Sequence, residues 1–149
     1  MADIVTPDVR SRMMSGIRGK NTKPELVLRS ALHRLGLRYR LHCKHLAGKP
    51  DLVFPKWRSV LFVHGCFWHG HDCCLYRLPA TRTEFWREKI ESNRIRDSRS
   101  EERLRNLDWR VGIVWECALR GKGSQSPEQV AAKVADWLDS QQDALEIKG

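Results

Sequence analysis

The sequence has no apolar run near the roughly 18 to 20 residues that a membrane-spanning helix requires, so no transmembrane segment is predicted. Its opening stretch, MADIVTPDVRSRMMSG, carries acids and lacks an apolar core. No secretory leader is therefore predicted, and the cytoplasm is the expected compartment. Internal repeats, low-complexity tracts and linkers are also missing, which leaves one domain as the expectation. The five cysteines are an odd number. In a reducing compartment they suit free thiols or metal ligands better than disulfides. Acidic charge is in deficit as well, with 18 Asp and Glu against 27 Lys and Arg, a formal charge of +9. On a small domain that surplus points to a polyanionic partner, nucleic acid above all, and not to a membrane.

At 149 residues, with 41% hydrophobic and 30% charged side chains, the chain is long enough for one core and too apolar for general disorder. It holds six tryptophans, more than so small a core needs, so some are expected outside it.

Sequence pattern predicts a mixed sheet with flanking helices. Residues 7–17 suit a short, weakly anchored helix, part of an N-terminal arm over 1–20. NTKPELVLRSALHRLG has Asn21 or Thr22 to cap, Pro24 in the first turn, Glu25 near the positive end and Gly36 as a stop. Strands are predicted over 37–42, where apolar and polar residues alternate, over 51–54, and over 59–64, which is almost wholly apolar and suits a sheet centre. A long charged helix follows from about Arg82 to Asn106, then a strand over 109–116. Ser126 and Pro127 open a last helix with the stripe Val130, Val134, Trp137 and Leu138. The end, 143–149, is expected to fray. The resulting fold class is α/β.

Two stretches carry chemistry. In KPDLVF, Asp51 opens a short strand ahead of the apolar strand SVLFV. This resembles the PD-(D/E)xK nuclease core, in which a helix glutamate, such an aspartate and a residue of the next strand gather a metal. Phosphodiester cleavage by Mg²⁺ needs hard oxygen ligands, and Asp51 with Glu25 qualifies. The expected (D/E)xK is absent, however: the next strand reads VHG. Val63 can lend only its carbonyl, and His64 and His69 are the nearest groups to stand in for the lysine.

In VHGCFWHGHDCC, the residues Cys66, His71 and Cys73 are spaced as C-x4-H-x-C. A tetrahedral zinc site wants four N or S ligands. Cys117, after the fourth strand, is preferred as the last ligand over Cys74, which adjoins Cys73. Cys43 is expected to be a packed thiol.

Taken together, GKPDLVF, FVHGCFWHGHDC, PATRTEFWREKI, RDSR, WRVGIVWECALRG and the early RSRMMSGIRGKNTKPE resemble the very short patch repair (Vsr) endonuclease family, over about residues 8 to 122. The resemblance implies a PD-(D/E)xK-like core with a structural zinc site. It also implies nicking of duplex DNA on the 5′ side of the thymine in a T·G mismatch left by deamination of 5-methylcytosine. Carried over residue by residue, it makes Asp51 the central Mg²⁺ ligand, with the Val63 carbonyl as a second. His69 becomes the general base, His64 a helper at the phosphate, and Glu25 and Asp97 holders of metal-bound water. Cys66, His71, Cys73 and Cys117 bind Zn²⁺.

The same resemblance makes Phe67, Trp68 and Trp86 an aromatic wedge beside the mismatch, with Met14 and Ile17 entering from the opposite groove. A mismatched pair is the cheapest to unstack, and an aromatic face restores about 1–3 kcal/mol of stacking per base. Lys89 and Asn93, one turn apart, are expected to read base edges. A monomer is expected, with other mismatch-repair proteins as candidate partners. Two competing readings are a zinc-stabilised DNA-binding module without catalysis and a PD-(D/E)xK restriction-type enzyme.

Overall fold

The computed structural model describes residues 22–149 with the exception of Cys74. The predicted helix over 7–17, with Met14 and Ile17, lies outside the described residues.

Helix α1 (Lys23–Arg34) opens after Thr22 with Pro24 in its first turn. Strand β1 (Arg40–Leu41) is shorter than the alternation over 37–42 suggested. It is followed by β2 (Leu52–Phe54), a single 3₁₀ turn over Pro55–Trp57, and β3 (Ser59–His64). The long charged segment forms α2 (Thr83–Asn106). Strand β4 (Arg110–Trp115) runs directly into the short helix α3 (Glu116–Leu119), which was not predicted and takes the last residue of the strand predicted over 109–116. Helix α4 (Pro127–Leu138) starts as predicted: the Ser126 hydroxyl accepts from the Gln129 N–H, and the Gln129 side chain returns a bond to the Ser126 N–H.

The five strands form one sheet in the order β1-β2-β3-β4-β5, antiparallel from β1 to β3 and parallel from β3 to β5. Strand β3 is apolar from Val60 to Val63, as suits a strand covered by helices on both faces. Leu61, Val114 and Leu52 pack with α1 and α4, while Val60, Phe62 and Val111 pack with Leu104 of α2. No helix among the described residues is long and apolar enough to cross a membrane.

The predicted frayed tail is instead strand β5 (Ala144–Ile147), paired parallel to β4 with Ile147 buried. The alternation in Ala144, Leu145, Glu146 and Ile147 is the period of a half-buried strand. The open edge of β4 supplies its backbone partners.

Candidate active site and metal centre

Sheet register gathers the functional residues at one end. Because β2 and β3 are antiparallel, with Leu52 opposite Leu61, the start of β2 lies beside the end of β3. Asp51 is therefore close enough for its Oδ2 to accept the Val63 N–H at 2.7 Å. Because β3 and β4 are parallel, with His64 opposite Trp115, the residues that follow also run side by side. Cys66 and Cys117 are brought together in this way, and the Cys66 N–H donates to Glu116 Oε1 at 3.2 Å. One register fixes the carboxylate; the other fixes the thiols.

Asp51 faces a cavity of about 1040 Å³ that is also lined by Glu25, His64, His69, Trp68 and Asp97. Burial pushes the Asp51 carboxyl up to about 7; the Val63 N–H opposes this and the neighbouring Glu25 adds to it. A buried acid that keeps its proton near neutrality, next to a second carboxylate, is a site that a hard cation fits by replacing the proton. Glu25, from the first turn of α1, is only 1% exposed. His42, which sequence reasoning passed over, reaches Glu25 Oε2 with Nε2 at 2.7 Å.

The two predicted histidines lie face to face. Their rings stack at 3.8 Å between centroids and 7° between planes. His69 Nδ1 is hydrogen-bonded to Asp97 Oδ2 of α2. His64 is buried, its Nδ1 has no hydrogen-bond partner among the described residues, and burial holds its pKa well below the usual imidazole value, with His69 adding to the shift. It is therefore neutral at physiological pH.

Cys66, His71, Cys73 and Cys117 each offer a ligand atom, all within 4.8 Å of one another. Cys66 Sγ and Cys117 Sγ each lie 3.5 Å from His71 Nδ1. Tetrahedral zinc with ordinary bond lengths sets S···N at about 3.6 Å, so the set fits that ion. Burial raises the pKa of both the Cys66 and Cys117 thiols. Trp115 stacks on the His71 ring at 4.1 Å and donates through Nε1 to Glu146 of β5 at 3.0 Å. The strand read as a frayed tail thus braces this cluster. Cys43 lies away from it, against the Val53 and Phe62 side of the core, as a packed thiol would.

Between these two centres the loop presents its aromatics. Phe67 and Trp68 meet edge to face at 5.1 Å, and Trp86 of α2 completes a trio at 5.5 and 5.7 Å, all three partly exposed. The turn at Gly70 allows this approach. Its φ is +63°, and a Cβ there would stand 2.6 Å from Ile90 Cγ2. Lys89 is partly buried, and no bond of its side chain is recorded among the described residues.

Asn93 lines the same cavity as Asp51. It is buried, its Nδ2 donates to the Trp68 carbonyl at 2.9 Å, and its Oδ1 accepts from Arg96 at 2.9 Å. Here the amide ties α2 to the aromatic loop.

Residues 2–75 match the family described as DNA mismatch endonuclease Vsr. The chain is 52% identical over 124 residues to "Type II nicking enzyme V.XorIIP" of Xanthomonas oryzae pv. oryzae, covering 83% of this chain and 91% of that protein. It is 46% identical over 138 residues to "DNA mismatch endonuclease Vsr" of Escherichia coli strain K12, covering 93% and 88%. It is 45% identical over 122 residues to "Type II nicking enzyme V.NmeAIP" of Neisseria meningitidis serogroup A, covering 82% and 87%.

Proposed function

The chain belongs to the DNA mismatch endonuclease Vsr family, a family of very short patch repair, and on that premise we propose a specific reaction for it. It nicks one strand of duplex DNA on the 5′ side of the thymine in a T·G mismatch, by hydrolysis that depends on a divalent cation. One observation carries this reading: Asp51, Glu25 and the bonded pair His69–Asp97 line one cavity that Trp68 of the aromatic trio also borders.

Asp97 accepts the Nδ1 proton of His69, which leaves Nε2 as the lone-pair nitrogen. That tautomer takes a proton from water oxygen as the water attacks phosphorus and the bond to the leaving oxygen breaks. His64, neutral and stacked on His69, holds the second ring at the phosphate without adding charge. Mg²⁺ bound by Asp51 and the Val63 carbonyl, with waters held by Glu25 and Asp97, would supply Lewis-acid stabilisation of the phosphate. Zinc on Cys66, His71, Cys73 and Cys117 would keep the loop in shape and take no part in cleavage.

Phe67, Trp68 and Trp86 supply the aromatic faces that replace stacking where the mismatched pair is opened. Lys89 and Asn93, on the same helix as Trp86, are the side chains we assign to base edges. The test is nicking of a T·G duplex labelled on either strand, with and without EDTA, by the wild-type protein and Asp51→Ala. We expect one nicked strand, lost in EDTA and in the variant. Nicking by Asp51→Ala, or equal cutting of a fully paired duplex, would refute the reading.

A further inference from the structure

His42 follows β1 directly. Its backbone sits in the left-handed region at φ +46°, which a non-glycine residue seldom adopts. Its two polar ends reach the two carboxylate residues of the site. The backbone N–H donates to the Asp51 carbonyl at 3.1 Å. The imidazole Nε2 meets Glu25 Oε2 at 2.7 Å, and Arg29 donates to the same oxygen at 3.1 Å.

Glu25 and Asp51 line the large cavity, whereas His42 does not. The imidazole therefore approaches Glu25 from behind the cavity wall. Glu25, His42 and Asp51 each offer a ligand atom within 4.8 Å of the others. Two carboxylates held this close repel one another when ionised, and left alone they would turn apart or share a proton. The His42 imidazole meets the Glu25 carboxylate itself, while the His42 N–H holds the main chain of Asp51.

We infer that His42 is a positioning residue for divalent-cation binding: it fixes the Glu25 carboxylate and the Asp51 main chain so that the pair receives an ion without reorganising. The inference deepens the metal-dependent reading above and rests on it. Groups that orient metal ligands in this way typically change cation affinity by about 10–100-fold when removed. A histidine that merely shaped the turn would leave cation affinity alone.

The test compares two substitutions chosen for the backbone at this position. Asparagine tolerates the left-handed region but is too short to reach Glu25, so His42→Asn removes the contact and keeps the turn. His42→Gln keeps a donor of nearly the same reach. Mn²⁺ binding to the full-length, DNA-free protein is read by electron paramagnetic resonance, and Mg²⁺ is titrated in nicking of the T·G duplex.

His42→Asn is expected to raise both the Mn²⁺ dissociation constant and the half-saturating Mg²⁺ about 10–100-fold, with a smaller effect on the rate at saturating Mg²⁺. His42→Gln is expected to recover most of the loss. Unchanged cation affinity in His42→Asn, or equal losses in the two variants, would overturn the inference. Should His42→Asn fail to fold, His42→Gly, which also tolerates the left-handed region and carries no donor, takes its place with the same expected loss and the same overturning result. Wild-type protein that binds no Mn²⁺ and nicks in EDTA would overturn the metal reading itself, and this inference with it.

Discussion

His69 and Asp97 are joined across the cavity, imidazole Nδ1 to carboxylate Oδ2, although one sits on a loop and the other on the long helix α2. In the proposed mechanism the pair fixes the tautomer on which general-base action depends. Asp97→Asn keeps the shape but can present an N–H where an acceptor is needed. We expect the single-turnover nicking rate at saturating Mg²⁺ to fall about 100-fold or more. A gel-shift assay should show T·G duplex binding reduced far less than the rate.

The Asp51 carboxyl, pushed up to about 7 chiefly by burial, sets the response to pH. Below that value a proton competes with the cation. The half-saturating Mg²⁺ should therefore rise about tenfold for each unit of acidification and level off above pH 7. Stability without cation has the opposite sign. The folded value is raised above the ordinary 3.8, so the contribution is fully present below about pH 4 and is lost as pH rises to about 7. The loss is on the order of 4 kcal/mol at most. Asp51→Asn should raise the melting temperature of the cation-free protein at pH 8 and leave it nearly unchanged at pH 4.

Zinc removal should be felt in the fold before it is felt in the chemistry. Cys117→Ser takes one ligand from the Cys66, His71 and Cys73 cluster. We expect loss of about one equivalent of zinc by metal analysis and a melting temperature lowered by roughly 10 °C or more. Cys43→Ser, which touches only the core beside Val53 and Phe62, should keep its zinc.

Arg110 offers a stability test remote from the cavity. Its guanidinium donates to the carbonyls of Trp137 and Leu138 at the end of α4, to those of Ser140 and Gln142 beyond it, and also to Ser59 Oγ. It lies 4.8 Å over the Trp137 ring as well. Lysine has no planar fork to meet so many acceptors. Arg110→Lys should lower unfolding free energy by about 2–3 kcal/mol, read as a lower urea midpoint with an unchanged slope.

The elements marked by strong local signals were legible in the sequence. The Ser126–Pro127 start, the apolar run of β3 and the charged length of α2 stand where pattern put them. The clustering of Cys66, His71, Cys73 and Cys117 was legible too, since three of them share one loop and the fourth follows β4. What escaped notice depended on partners distant in sequence. Strand β5 needs the open edge of β4, His42 gains meaning only when α1 brings Glu25 to it, and Asn93 is turned inward by the Trp68 carbonyl. A helical asparagine one turn from a lysine carries no mark of which way its amide will bond.

The parallel pairing of β3 and β4 also bears on the order of assembly. Three thiol or imidazole ligands lie in the loop after β3, while Cys117 arrives only once α2 has crossed over and β4 has docked. Such long-range parallel pairing is intrinsically slow. A nascent chain therefore carries an incomplete ion trap through most of its folding time. In the proposed zinc site, closure of the fourth bond would report that the crossover is finished, so zinc uptake followed in a refolding experiment would serve as a clock for the sheet.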